Sequence, residues 1–197
     1  MVIEMPMTDA RKINKMTAGH AALVCLIQSY LDGLLDPFIT PREVHWLMYF
    51  MQEAGEPLRL NYTKYNECLY AEMLHHLLET VDGKLINGYT ADDGFGALDR
   101  PLTLVPGVVE EARKFFNHHG MRRQRFGRVL RLIEGFESPF GLEPLATVHW
   151  VMNREGATQR ESIQHQVYNW NDRKRQFTPR QIAIAQDRLC AQGWLPC

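Results

Sequence analysis

Eight histidines are the side chains in this chain best suited to chemistry, and their spacing limits what that chemistry is. His75 and His76 are adjacent, as are His118 and His119. Neighbours on a helix diverge by about 100°, so neither pair chelates a metal ion as an i, i+4 pair would. No HExxH run and no Cys-His grouping at zinc-ligand spacing occurs, and no metal site is expected. His45 and His149 each precede a tryptophan in an apolar run, which reads as a hydrogen-bonded core histidine ahead of a ligand or base. The stretch DDGFGALD has two glycines, but Asp92 and Asp93 would repel a phosphate and no strand leads into it. No GxSxG elbow is present, and no Ser or Cys sits in a recognisable pattern with a base. The residues alone therefore argue for no enzyme, and no cofactor is expected.

Charge is distributed unevenly. The 197 residues carry a formal net charge of -1, yet residues 51–111 hold 11 acidic and 4 basic side chains, net -7, and residues 112–131 hold 7 basic and no acidic ones, net +7. Fields of this size steer partners and do not choose folds. Two readings stand: compensation of one block by the other within the molecule, and a charged partner surface. Arg122, Arg123, Arg125, Arg128 and Arg131 form one basic stretch and Arg173, Lys174, Arg175 and Arg180 a second, and both could contact nucleic acid through phosphates. Surface charge and compensation of the acidic block is the preferred reading of both.

The elements that must position these groups are mostly helices. Apolar residues make up 45% of the chain, enough for a real core at this length. Apolar steps of three and four residues predict a first helix over 8–31. Thr40, Pro41 and Glu43 form a capping box for a second helix closed by Gly55, and its apolar surface nearly all round makes it central. Alternation at Leu58, Leu60 and Tyr62 predicts a short strand, a third helix follows over 67–81, and KLINGYT reads as a second strand. Further helices are expected from Pro106 to His119, over 121–136, from Ser138 or nearer Leu142, and after the caps Thr158 and Thr178. The EVHWLMYFM and TVHWVMNRE echo, at 43–51 and 147–155, reads as convergent core patterning rather than duplication. The expected fold is mainly α (α+β): a helical bundle with a small two-stranded β element and a winged-helix-like C-terminal part at 157–197, within one domain over 1–197. Cys25, Cys68, Cys190 and Cys197 are dispersed, so no zinc or disulfide framework is expected. No signal layout or membrane span is visible, and the expected location is cytoplasmic.

A resemblance adds what spacing does not show. LMYFMQEAGEPLRLNYTKY, LYAEMLHHLLETVDGKLINGY, LVPGVVEEA, LIEGFESPFGLEPLATVHWVMNREG and FTPRQIAIAQDRLCAQGWL, in that order, resemble the C-terminal domain of the DarG antitoxins, and more distantly the Panacea antitoxin domains. The resemblance implies a domain that neutralises DarT, a DNA ADP-ribosyltransferase toxin, by direct binding, by DNA mimicry in the toxin's single-stranded DNA cleft. It also implies a chain without the macrodomain that removes ADP-ribose from DNA, and so no glycohydrolase activity and no enzyme. Tyr62, Lys64, Tyr65, Asn66, Glu67, Tyr70, Glu72, Asp82, Tyr89, Asp92 and Asp93 are the expected contacts with DarT. The alternative is a DNA-binding regulator of a toxin-antitoxin operon that uses the basic tail.

Overall fold

The computed structural model describes residues 16–33, 38–65, 68–89, 98–117 and 120–196. Among these, eight α-helices surround or extend one core: α1 (Ala18–Gly33), α2 (Pro41–Glu53), α3 (Glu72–Val81), α4 (Val108–Asn117), α5 (Gly120–Ile133), α6 (Pro139–Glu155), α7 (Arg160–Trp170) and α8 (Pro179–Ala191). A 3-10 turn at Asp172–Gln176 joins the last two. Strands β1 (Thr63–Tyr65) and β2 (Cys68–Tyr70) pair antiparallel, with Thr63 opposite Tyr70 and Tyr65 opposite Cys68. Strands β3 (Ile86–Asn87) and β4 (Thr103–Leu104) form a second antiparallel pair. The mainly helical α+β expectation holds, with two small β elements in place of one.

Helix α2 is the axis of the core, buried at every residue from Pro41 to Met51. Its capping box forms as expected: the Glu43 N–H donates to Thr40 Oγ1, and the Thr40 N–H donates to Glu43 Oε2 at 2.7 Å. The other Glu43 oxygen accepts from Tyr30 Oη at 2.6 Å, which ties α1 to the start of α2. Around α2 pack α1, α5 and α6, while α4 lies on α1 and α8 lies on α6. Helix α6 begins at the earlier of the two expected positions, with Ser138 as its cap. Pro144 inside it gives up only the bond to the carbonyl of Phe140, a residue 82% exposed and open to water.

Three local expectations give way to longer-range contacts. Residues 58–62 form no strand, because Arg59 adopts φ 58° and the Gln52 side chain takes both backbone groups of Leu60, at 2.7 and 2.8 Å. Helix α3 starts at Glu72, since Cys68, Leu69 and Tyr70 are drawn into β2. Helix α7 is capped at Gln159 rather than Thr158, because buried Ala157 donates its N–H to the Val151 carbonyl and fixes the entry one residue later. Cys25 and Cys68 are free and buried, whereas Cys190 is disulfide-bonded, against the expectation of dispersed thiols alone. No helix among the described residues is long and apolar enough to cross a membrane.

The charge blocks meet inside the fold at Glu56. Glu56, from the acidic block, is 2% exposed and accepts from Arg122 Nε at 3.0 Å and from Arg125 Nη1 at 2.9 Å, both on α5. Glu56→Gln is expected to cost about 2 kcal/mol, below the usual penalty for breaking a buried pair because both guanidinium groups keep some water. The midpoint of urea unfolding at constant slope measures it; an unchanged midpoint would mean that Glu56 is solvated.

Candidate functional site

The β1–β2 hairpin and the start of α3 build a cavity of about 480 Å³ lined by Asn61, Thr63, Tyr65, Tyr70, Glu72 and Met73. Pairing of Thr63 with Tyr70 sets these residues side by side, and Tyr65 and Tyr70 lie with ring centroids 5.2 Å apart and planes 33° off parallel. Beneath them the Tyr70 ring stacks on His45 at 4.9 Å and 24°. The wall is therefore three rings deep, from exposed Tyr65 to fully buried His45. Burial, with Glu72 next, pushes the Tyr70 hydroxyl above its ordinary pKa, so it remains a donor at neutral pH.

His45 and His149 are core histidines, as expected. The Ala71 N–H donates to His45 Nδ1 at 3.3 Å, and Tyr49 Oη lies 2.7 Å from His149 Nδ1. Burial holds both imidazoles neutral, with pKa values of about 3. The Tyr49 hydroxyl, pushed well up by burial, stays protonated and donates to His149.

Along the outer face of α3 runs a second group of ionisable side chains. Tyr89 Oη bonds His75 Nδ1, and His75 Nε2 lies 3.3 Å from Glu79 Oε1. His76 Nδ1 lies 3.1 Å from Glu79 Oε2, and its Nε2 lies 3.9 Å from Glu72 Oε1. The hydrogen bond from His76 holds the Glu79 carboxyl below its ordinary pKa. The adjacent histidines do diverge, but Glu79, one turn on, faces both.

Of the expected contact residues, the structure brings Tyr65, Tyr70 and Glu72 together at the cavity. Tyr62 is turned inward, donating Oη to the His45 carbonyl at 3.0 Å. Tyr89 is 5% exposed, and its N–H is held by Asp82 Oδ1 at 3.0 Å. Gly88 places it there at φ 101°, against the Pro101 carbonyl where a Cβ would come within 2.7 Å. Tyr62 and Tyr89 are thus corrected from surface contacts to supports of the site, with Asp82 as a backbone anchor. Lys64 pairs with Glu155 and lies 4.5 Å over the Trp170 ring. Asn66, Glu67, Asp92 and Asp93 lie outside the described residues. Asn61, Thr63, Met73 and Glu79 were missed; the one-turn spacing of Glu79 from both histidines was the available signal.

The basic tail is corrected at Lys174, which is 0% exposed with Nζ 2.5 Å from Glu143 Oε1 and cannot meet a phosphate. Arg173 reaches the same carboxylate at 3.4 Å, and Arg175 lies 3.3 Å from Asp172. Gln181 spends its side-chain oxygen in the capping box of α8, leaving Arg180 exposed beside it.

These features define a helical α+β domain with an aromatic-walled cavity on a short hairpin. No family model matches the chain. Over 181 residues it is 34% identical to a Thermus aquaticus protein named DNA ADP-ribosyl glycohydrolase, covering 92% of this chain and 49% of that protein. Proteins of the same name from Mycobacterium tuberculosis and Mycobacterium bovis are 30% identical over 186 residues, covering 89% of this chain and 53% of each. The chain spans about half the length of the curated relatives it matches. The setting of DNA ADP-ribosylation agrees with the resemblance read from the sequence. The expectation of a non-enzymatic, toxin-neutralising module is corrected by these names, which describe a hydrolase, and the DNA-binding regulator gains no support from them.

Proposed function

We propose that this chain is one half of a DNA ADP-ribosyl glycohydrolase and serves the removal of ADP-ribose from DNA. The observation that carries this reading is the identity to the Thermus aquaticus protein of that name along 92% of the chain. The hairpin cavity suits the recognition part of such a task. A volume of about 480 Å³ with two tyrosine rings, the Asn61 carboxamide and the Thr63 hydroxyl fits a nucleobase, stacked on a ring and hydrogen-bonded at its edge. Glu72 in its lining disfavours phosphate, so the base and not the backbone is what the cavity takes. On the resemblance to the DarG C-terminal domain, we read the chain as the C-terminal part, with DarT, which makes the ADP-ribosylated DNA, as its partner protein.

The test uses a single-stranded oligonucleotide with and without ADP-ribose, reading binding by fluorescence anisotropy and free ADP-ribose by chromatography. Tighter binding of the modified strand, or release of ADP-ribose, supports the reading; equal binding without release overturns it. Tyr65→Ala is expected to weaken binding by roughly 5- to 150-fold, the loss of one stacked base.

A further inference from the structure

We infer that His75, His76 and Glu79 form a binding site for a divalent transition-metal ion of the zinc type. The site goes beyond the glycohydrolase reading and does not depend on it. Helical geometry explains why the three converge. Steps of about 100° per residue place Glu79 about 40° from His75 and about 60° from His76 around the axis, between two imidazoles that diverge from each other. One ligand atom from each residue lies within 4.8 Å of the others. Glu79 faces the two rings through different oxygens, Oε1 at 3.3 Å from His75 Nε2 and Oε2 at 3.1 Å from His76 Nδ1, each near the roughly 3.4 Å between donors that lie about 2.1 Å from a tetrahedral ion. The side chain of His76 is 56% exposed, which leaves it room to turn toward a shared ion.

The outer atoms fit the same role. Metal-binding imidazoles have their second ring nitrogen fixed by an oxygen, which sets tautomer and ring orientation. Here His75 has Tyr89 Oη at Nδ1, whereas Glu72 Oε1, 3.9 Å from His76 Nε2, is beyond hydrogen-bond reach and adds only its charge. The first is itself anchored, since the Tyr89 backbone is tied to Asp82 and the ring is buried. In the metal-bound form His75 donates from Nδ1 to Tyr89 Oη and offers the Nε2 lone pair to the ion. Two imidazoles and one carboxylate leave a coordination position open to water, the donor set of zinc sites that do chemistry. Glu72 also lines the hairpin cavity, so the site lies at the cavity's edge.

The experiment titrates chelator-treated full chain with Zn²⁺ by calorimetry and with Co²⁺ by visible absorption. One ion per chain is expected, with the intense absorption of low-coordinate Co²⁺. His75→Ala and Glu79→Ala should each weaken binding at least tenfold, Tyr89→Phe by about tenfold, and His165→Ala, on α7, not at all. Circular dichroism in the presence of chelator separates loss of the site from loss of the fold. Absence of one-to-one binding by the wild-type chain overturns the proposal, as does binding unchanged by His75→Ala and Glu79→Ala in folded protein. No DNA is used, so a failure here leaves the glycohydrolase reading untouched, and its failure leaves this one.

Discussion

Acidification from pH 7 to pH 4 is expected to remove about 6 kcal/mol of folding stability through His45 and His149 alone. Each has a folded pKa of about 3, against about 6.5 in the unfolded chain. The folded pKa is the lower one, so between these values the unfolded chain binds the proton and the folded protein does not. The contribution is fully present above pH 6.5 and is lost as the pH falls toward 3. Integrated from pH 7 to pH 4, that is about 3 kcal/mol for each ring. A domain with 5–15 kcal/mol in all is then close to unfolding. The local cause is the same in both: Nδ1 is an acceptor, from the Ala71 N–H in one and from Tyr49 Oη in the other, and a proton there breaks the bond in a water-free place. Guanidinium unfolding at half-unit pH steps measures the effect. Between pH 6 and pH 4 the slope should correspond to uptake of about two protons on unfolding. His149→Gln, less stable at pH 7, should lose about half of that slope. A wild-type slope below one proton would mean that neither ring is held neutral by burial.

How much of this was readable from the chain depends on the range of the physics involved. The capping boxes at Thr40 and Thr178 and the buried α2 were legible because a cap and an apolar helix surface are decided within a few residues. The two VHW segments were legible as core because each histidine sits in an apolar run. The structure adds that α2 and α6 pack together and that Tyr49 bonds His149 across 100 residues of chain. The strand at 58–62 failed for the converse reason. Its alternating pattern was real, but the Gln52 side chain, not a neighbouring strand, took the Leu60 backbone groups.

At the candidate site, Tyr65, Tyr70 and Glu72 were visible as an aromatic and acidic cluster. Asn61, Thr63 and Met73 were not, since only the hairpin register brings them to one cavity. Tyr62 and Tyr89 resembled their neighbours in type, yet a tyrosine's sequence does not say whether its ring covers a surface or bonds a buried histidine. The activity was least legible. The residues alone argued for no enzyme, and the resemblance led to a binding module, whereas the relatives carry the name of a hydrolase.

Glu143→Ala is expected to be the most damaging single substitution, at about 3–5 kcal/mol. The loss comes from what it strands, not from a strong attraction. Lys174 is 0% exposed, and burial pushes its ammonium below the ordinary lysine pKa even with Glu143 in place. The Trp170 and Phe177 rings lie 5.3 and 5.2 Å from it, and a quadrupole face is a weak substitute for a carboxylate. Without Glu143 the lysine must lose its proton or drag the 3-10 turn at Asp172–Gln176, on which α7 packs, off α6. The paired change Glu143→Leu with Lys174→Met removes both charges and keeps the volume. It should restore stability to within about 1 kcal/mol of the wild type or exceed it, because two desolvation costs vanish together. Urea midpoints of the two single variants and the double variant close the cycle. A loss under 1 kcal/mol for Glu143→Ala would show that Lys174 reaches water, and would return this segment to the surface that its run of basic residues suggests.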